Sequence, residues 1–547
     1  MSMKNYVIGI DFGTLSGRAV LVEAATGKTL AEATHSYAHG VMDETLPSGR
    51  ALPPDYALQH PSDYLDVLRV TVPAVLEQAG VAGEEVAGLG IDFTACTVMP
   101  VDAQGEPLCL DPAMADEPHA YVKLWKHHAA QGQADEINAL AEARGEAWLS
   151  IYGGKISSEW MLPKLLQILR EAPAVYEKID RFTEAGDWLS RCLTGKETHS
   201  APFAGYKALW NAENGYPSND FMKALDSRLN GVVGSKIFPH VCGMGESAGF
   251  LNEQGAALTG LPVGTPLSLP MIDAHAAMPA LGLVGEGDMM LIMGTSSCHI
   301  LNAKTGKCVP GICGYVKDGV VPGCYTYEAG QAAVGDIFDW FVKNCLPAAY
   351  EREAEAQGIG LHKLLREKAK GLRPGESGLV ALDWWNGNRS VLVDASLSGM
   401  LVGLTLRTRP EEIYRALIEA TAFGTRMIVE QYEACGLPIG AVCAAGGIAQ
   451  KDEMMMQIYA DVLGRDVRVA GSSQAGALGS AIYAAVAGGI YPDLGAASAH
   501  MAQPDRCVYH PQADHVAAYD RLYATYQTLH DYFGRENPQL MKELRGE

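Results

Sequence analysis

Two stretches far apart in the chain carry the same device. Asp11-Phe12-Gly13-Thr14-Leu15-Ser16 and Met293-Gly294-Thr295-Ser296-Ser297 each set a Gly-Thr-x-Ser core beside an apolar, strand-like run. Such a run reads as a buried strand, and glycine lets the backbone reverse tightly, so each stretch predicts a β-hairpin. The first hairpin is expected to run over residues 4–10 and return over 18–23; the second runs over 289–293 and returns over 298–301.

The elements that follow keep the same order. After the first hairpin come a Thr26-Gly27-Lys28 turn, a third extended stretch, a helix over 62–78 that Pro73 should kink, and a strand over 86–91. After the second come Thr305-Gly306-Lys307, a helix over 411–432 and a strand over 441–445 that ends at Gly446-Gly447. Shared order on this scale predicts an internal duplication, hence an α/β fold of two similar halves. At 547 residues the chain is too long for one core of roughly 100–200 residues. The boundary is expected near residue 285, among Gly282, Gly285 and Gly287, giving halves 1–285 and 286–547.

Composition excludes several classes of function. Hydrophobic residues make up 48% of the chain and charged residues 19%, a balance that favours a packed fold over disorder. A formal charge of −22 without a basic run repels nucleic acid and anionic lipid, so neither is an expected partner. Twelve cysteines without a CxxC pair suit reduced thiols in the cytoplasm and give no support to structural zinc. The opening apolar run is too short for a signal peptide. The Ala- and Gly-rich stretch 475–491 is less apolar than a membrane span and is expected to form a helix packed closely on a sheet. An amphipathic stretch over 517–529 suits internal packing and self-association equally, which leaves a homodimer open.

The hairpin turns can hold phosphate. Gly13 admits close approach, and the amides and hydroxyls of Thr14 and Ser16 can donate to phosphate oxygens; Gly294, Thr295 and Ser296 repeat the arrangement. Asp11 belongs at such a loop only if a cation intervenes, so it is expected to hold Mg2+ directly or through water; the plainer alternative is an ordinary Asp-containing turn. Opposed hairpins could grip a triphosphate between two closing domains. Gly446 and Gly447, followed by Gln450 and Lys451, form a turn where a base or ribose could approach the backbone, or simply a link into a helix over 454–463. No GxxxxGK[ST] motif offers another nucleotide site.

Asp273 ends the largely apolar run 267–272 and precedes the small residues 274–277, a strand-to-helix junction where a carboxylate can face a cleft or cap the helix. On the residues alone, Asp273 reads as a helix N-cap. His275 is read as a supporting residue pointing elsewhere. Trp125, Trp160, Trp384 and Trp385 are read as core.

Taken together, the residues resemble the FGGY carbohydrate kinases of the actin-like ATPase superfamily over nearly the whole length. The family marks are Ile8-Gly9-Ile10-Asp11-Phe12-Gly13-Thr14, Ile272-Asp273-Ala274-His275-Ala276, Met293-Gly294-Thr295-Ser296 and Ala445-Gly446-Gly447. Runs resembling the branch that acts on L-ribulose are Gly90-Ile91-Asp92-Phe93-Thr94-Ala95-Cys96-Thr97, Leu124-Trp125-Lys126-His127-His128, Gly153-Gly154-Lys155-Ile156-Ser157-Ser158-Glu159-Trp160 and Asp383-Trp384-Trp385-Asn386-Gly387-Asn388-Arg389-Ser390. Asp452 departs from the Asn of many relatives.

The resemblance implies two actin-like, ribonuclease H-like domains with an ATP cleft between them, the first carrying sugar and base, the second the nucleotide. It implies ATP and Mg2+, with Asp273 as catalytic base and, beside Asp11, a contact to the metal. It also implies sugar contacts from the Ala95 backbone, Lys207, Asp273 and Glu328. Read alone, Lys207 and Glu328 are equally a solvated surface pair. Alternatives to an L-ribulose kinase are a D-ribulose, xylulose or polyol kinase, or an actin-like switch that hydrolyses ATP to change shape.

Overall fold

The computed structural model of the chain describes residues 5–471, 474–503 and 505–545. The first seven-stranded sheet contains β1 (Tyr6–Phe12), β2 (Ser16–Glu23), β3 (Lys28–Ser36), β4 (Val86–Phe93), β5 (Ser247–Phe250), β6 (Pro266–Ser268) and β7 (Met271–Ile272). Its lateral order is β5-β6-β4-β1-β2-β3, with β7 beside β4. The second contains β8 (Met289–Met293), β9 (Ser297–Ala303), β10 (Tyr315–Lys317), β11 (Tyr325–Gln331), β12 (Val442–Ala445), β13 (Val467–Val469) and β14 (Cys507–Tyr509), ordered β10-β11-β9-β8-β12-β13-β14.

The duplicated order expected from sequence is present in three dimensions. β1 runs antiparallel to β2 and parallel to β4; β8 runs antiparallel to β9 and parallel to β12. Lys4, the expected start of the first strand, lies outside the described residues. The helix α1 (Pro61–Ala79) begins with His60 accepting from the Ser62 amide and ends at Gly80, whose φ of 65° suits a left-handed cap. Pro73 lies inside this helix.

A third core, formed by residues between Met42 and Ile237, sits on a four-stranded sheet inserted into the first half. It contains α2 (Met161–Glu171), while α3 (Ala201–Lys207) and α4 (Asp273–Ala280) stand near the first sheet. The second half adds α5 (Pro410–Ala434), α6 (Glu453–Leu463), α7 (Ala475–Ala487) and α8 (Ala513–Asp531). In α8, Tyr519, Tyr523 and Tyr526 are buried in the second core, so that face is used within the chain.

Side-chain alternation divides β8 between two cores: Met289, Leu291 and Met293 join the second, whereas Met290 joins the first. The element between the sheets is α7. Although late in sequence, it packs on β1 and β4, and that contact depends on glycine: a Cβ at Gly9 would fall 1.9 Å from the Ala477 carbonyl oxygen, and one at Gly90 would fall 2.0 Å from that of Ser480. Close packing is what the composition of 475–491 predicts, although the helix stops at Ala487 and its sheet is the first one. Burial of Leu478 and Ile482 contributes about 1.5–3 kcal/mol each.

Candidate active site

The site forms where the parallel strands of the first sheet end, the usual ligand position in open α/β sheets. Asp11 stands opposite Arg18 in the hairpin and opposite Asp92 across the β1–β4 pairing. Asp92 is fully buried, and Ser480 at 2.6 Å donates its hydroxyl to Oδ2. Burial raises the pKa of Asp92 well above the carboxylate range, and the charge of Asp11 raises it further. Burial also raises Asp11, against the lowering effects of the neighbouring Asp92 carboxyl and the charge of Arg18.

Asp273 is the first residue of α4 and receives the Ala274 amide on Oδ1 at 2.6 Å. Ile272, not Asp273, occupies the N-cap position. Burial, then the negative charge of Asp11, pushes Asp273 up to about 7. The start of α7 meets both acids: a Cβ at Gly476 would lie 3.8 Å from Asp11 Oδ2 and 3.7 Å from the Asp273 carbonyl oxygen. No local signal marks this approach, because Gly476 is distant in the chain from both.

The first hairpin closes through a hydrogen bond from the Gly13 amide to the Ser16 carbonyl at 3.0 Å. Tyr37 donates to the Gly13 carbonyl at 2.9 Å, and Gln59 donates to that of Thr14 at 2.7 Å. Trp125, read as core, is 39% exposed instead; its indole N–H donates to Thr14 Oγ1 at 3.2 Å, so this ring supports the hairpin. In the second hairpin the Gly294 amide donates to the Ser296 carbonyl at 2.9 Å, while Thr295 is exposed. Gly446 has a φ of 96°, and a Cβ there would meet the Met293 carbonyl at 2.5 Å, which joins the Gly446-Gly447 turn to the second hairpin. Gln450 is half-buried and Lys451 exposed on the short helix that follows. Asp452 caps α6 by accepting the Met455 amide at 3.0 Å, with Arg366 3.6 Å away, a structural use for the departure from Asn.

A second polar cluster is assembled from both halves. Lys207 Nζ, at the end of α3, lies 3.1 Å from Glu328 Oε1 in β11; Arg389 Nη2 lies 2.7 Å from the same oxygen, and His275 Nε2 lies 3.2 Å from Oε2. Lys207 and Glu328 are therefore not a solvated surface pair. Burial opposes charge on Glu328, but Lys207, His275 and Arg389 outweigh it and hold the carboxyl well below its ordinary range. Burial likewise opposes charge on Lys207, and Glu328 reverses the balance and raises its pKa. Lys207 also sits 5.7 Å from the centre of the buried Trp160 ring. Trp384 is buried in the second core as expected, and Trp385 packs against it. His275 points at Glu328, where the sequence had suggested elsewhere, and Arg389 was visible only as part of a motif. Ala95 follows β4 and is half-buried between the first and third cores.

Among the described residues no three His, Cys, Asp or Glu side chains are gathered to chelate a metal. Mg2+ does not need such a cage, because it binds through one or two carboxylates, phosphate oxygens and water. Asp11 and Asp273, whose like charges are mutually unfavourable, fit that requirement.

Residues 6–280 match the N-terminal domain, and residues 289–488 the C-terminal domain, of the FGGY family of carbohydrate kinases. The chain is 51% identical to a ribulokinase of Shouchella clausii, covering 99% of this chain and 98% of that one. It is 50% identical to a ribulokinase of Mycolicibacterium smegmatis, covering 99% and 96%. Among solved structures, the xylulose kinase of Rhodospirillum rubrum superposes with a TM-score of 0.82 at 26% identity, covering 96% of this chain and 99% of that one. With both of its halves matched and relatives aligned over almost its whole length, the chain belongs to the FGGY family of carbohydrate kinases.

Proposed function

We propose that this sugar kinase transfers the γ-phosphoryl group of ATP to a hydroxyl of L-ribulose, giving L-ribulose 5-phosphate for L-arabinose catabolism. The observation that carries the reading is the nearness of Asp273 to Glu328: Asp273 begins α4 and is raised in part by the charge of Glu328, which His275 of the same helix binds. A proton acceptor and a buried cluster able to bind several hydroxyls are thus held together. A buried carboxylate with a half-buried ammonium and guanidinium supplies the donors and acceptors that a polyol requires.

In this reading the Ala95 backbone, Lys207 and Glu328 orient the ketopentose. Asp273 keeps Oδ1 on the Ala274 amide and takes the hydroxyl proton at Oδ2 as the oxygen attacks the γ-phosphorus and the bond from that phosphorus to the bridging oxygen breaks, releasing ADP. The turns at Gly13, Thr14 and Ser16 and at Gly294, Thr295 and Ser296 hold the phosphates, while Gly446, Gly447, Gln450 and Lys451 border the nucleoside. Asp11 and Asp273 would hold Mg2+, which neutralises charge on the phosphates. The halves 1–285 and 286–547 close on the substrates, with α7 as the packed element between them. The twelve cysteines are free thiols, which supports a cytoplasmic setting; no described helix is long and apolar enough to cross a membrane.

The test is ADP release from Mg-ATP with L-ribulose, D-ribulose, D-xylulose, glycerol or no acceptor. Strong stimulation, with the highest kcat/KM for L-ribulose, is expected. A higher kcat/KM for another acceptor reassigns the substrate, and equal release with and without acceptor replaces transfer by an ATPase switch.

A further inference from the structure

Lys164, in the second turn of α2, is completely buried, and its ammonium reaches three backbone carbonyls: Cys96 at 2.7 Å, Leu124 at 2.8 Å and Lys123 at 3.5 Å. Burying an ammonium among apolar residues is unfavourable unless its hydrogen bonds are met, and packing alone would be served by leucine or methionine. What the three bonds hold is therefore informative. Cys96 follows Ala95 and has a φ of 57°, a left-handed conformation that side-chain-bearing residues adopt at a cost. Leu124 precedes Trp125, whose indole supports Thr14 in the first hairpin. One turn before Lys164 on the same helix, Trp160 lies beneath the Lys207 ammonium.

We infer that Lys164 is a positioning residue for phosphoryl transfer, tying the backbone that borders the sugar at Ala95–Cys96 to the backbone that carries Trp125 against the phosphate hairpin. The inference rests on the proposed sugar site. Lys164 touches neither substrate; it fixes the direction of the Cys96 carbonyl, and with it the peptide planes that follow Ala95, relative to Leu124. Glu184 lies beside the same loop, with the Ala185 amide bonded to the Thr97 carbonyl at 2.7 Å, so the loop is held from two sides. Lys123 provides an internal comparison. It is equally buried, but its ammonium is 3.5 Å from His127 Nε2 and reaches no loop carbonyl of the site.

The experiment compares Lys164→Met, Lys164→Arg and Lys123→Met in the full chain, measuring melting temperature and separate KM and kcat values for L-ribulose and ATP. Wild-type enzyme is first shown to be stimulated by L-ribulose; absence of stimulation refutes the substrate reading and says so before any variant is made. With stimulation established, Lys164→Met is expected to raise the KM for L-ribulose about ten-fold, as misplacement of a substrate-facing backbone does. Lys123→Met should lower the melting temperature by a similar amount and leave that KM unchanged. A folded Lys164→Met enzyme with wild-type KM overturns the inference. If that variant does not fold, Lys164→Arg decides: its larger planar head displaces the carbonyls, so a raised sugar KM supports the role and an unchanged one overturns it.

Discussion

Lys207 Nζ and Glu328 Oε1 lie 3.1 Å apart, and they come from opposite halves of the chain. Lys207 closes a short helix beside the first sheet, whereas Glu328 occupies the middle of β11 in the second. The pair therefore joins the two halves of the chain, and in the proposed function it also sets the polarity of the sugar pocket. His275 and Arg389 complete the coordination of the carboxylate, so no charge in the cluster is left without an opposite partner.

Replacing Glu328 by Gln removes the charge that Lys207 and Arg389 share and leaves two half-buried cations facing a neutral amide. Loss of one partner of a buried ion pair costs on the order of 3 kcal/mol, and kcat/KM for the sugar should fall about a hundred-fold or more. Denaturant unfolding and acceptor kinetics measure the two effects. Since the folded-state pKa of Glu328 is depressed, its stabilising contribution is present above the unfolded value and is lost as pH falls through the folded one.

Asp273→Asn should reduce kcat by about 10²–10⁴-fold while ATP binding, measured by calorimetry, changes little. In the proposed mechanism the carboxylate form of Asp273 accepts the proton, so kcat/KM for the sugar should rise as pH climbs through about 7 and level off above it. Stability has the opposite sign. A raised folded-state pKa favours the protonated native state, so this contribution is complete below the unfolded value and is lost as pH rises through about 7. A flat profile across that range would show that another group takes the proton.

How far the site was readable follows from the distances along the chain. The hairpins at Gly13 and Gly294 are local objects, and alternating burial with a glycine turn specifies them within a few residues. Asp273 was readable for the same reason, because an apolar strand next to a run of small residues marks a strand-to-helix junction. Lys207 with Glu328 and Asp92 with Ser480 are different. These partners are separated by 121 and 388 residues, and only the packing of the sheets brings them together. The helix at 475–487 shows both limits: its small residues announced close packing, yet nothing local said that it would return to the first sheet. Trp125 was misread because composition favours buried tryptophan, whereas here the ring props an exposed turn.

Trp125→Phe keeps an aromatic surface beside the hairpin and removes only the N–H that reaches Thr14 Oγ1. A neutral hydrogen bond of this kind is worth about 1 kcal/mol, so KM for ATP should rise roughly five-fold. KM for the sugar should stay within error in the same assays. An unchanged ATP KM would separate Thr14 from nucleotide binding.

Gly479→Ala tests whether the close approach of α7 to α4 positions the base. A Cβ at residue 479 would fall 1.6 Å from the Ala276 carbonyl oxygen and 2.6 Å from its carbon, contacts that only backbone movement can relieve. Overpacking of this type costs about 1–3 kcal/mol and should appear in denaturant unfolding. Because α4 begins at Asp273, displacing Ala276 also shifts the proposed proton acceptor, so kcat should fall more than KM for ATP rises. Gly132→Ala supplies the opposite case: it lies in the helix Gln131–Arg144, and an added Cβ there meets no atom within 4 Å. That change should stabilise the protein by about 0.5–1 kcal/mol with activity unaltered. If both alanines proved equally harmless, α7 would have room to move, and the contact between α7 and α4 could not be what holds Asp273 in place.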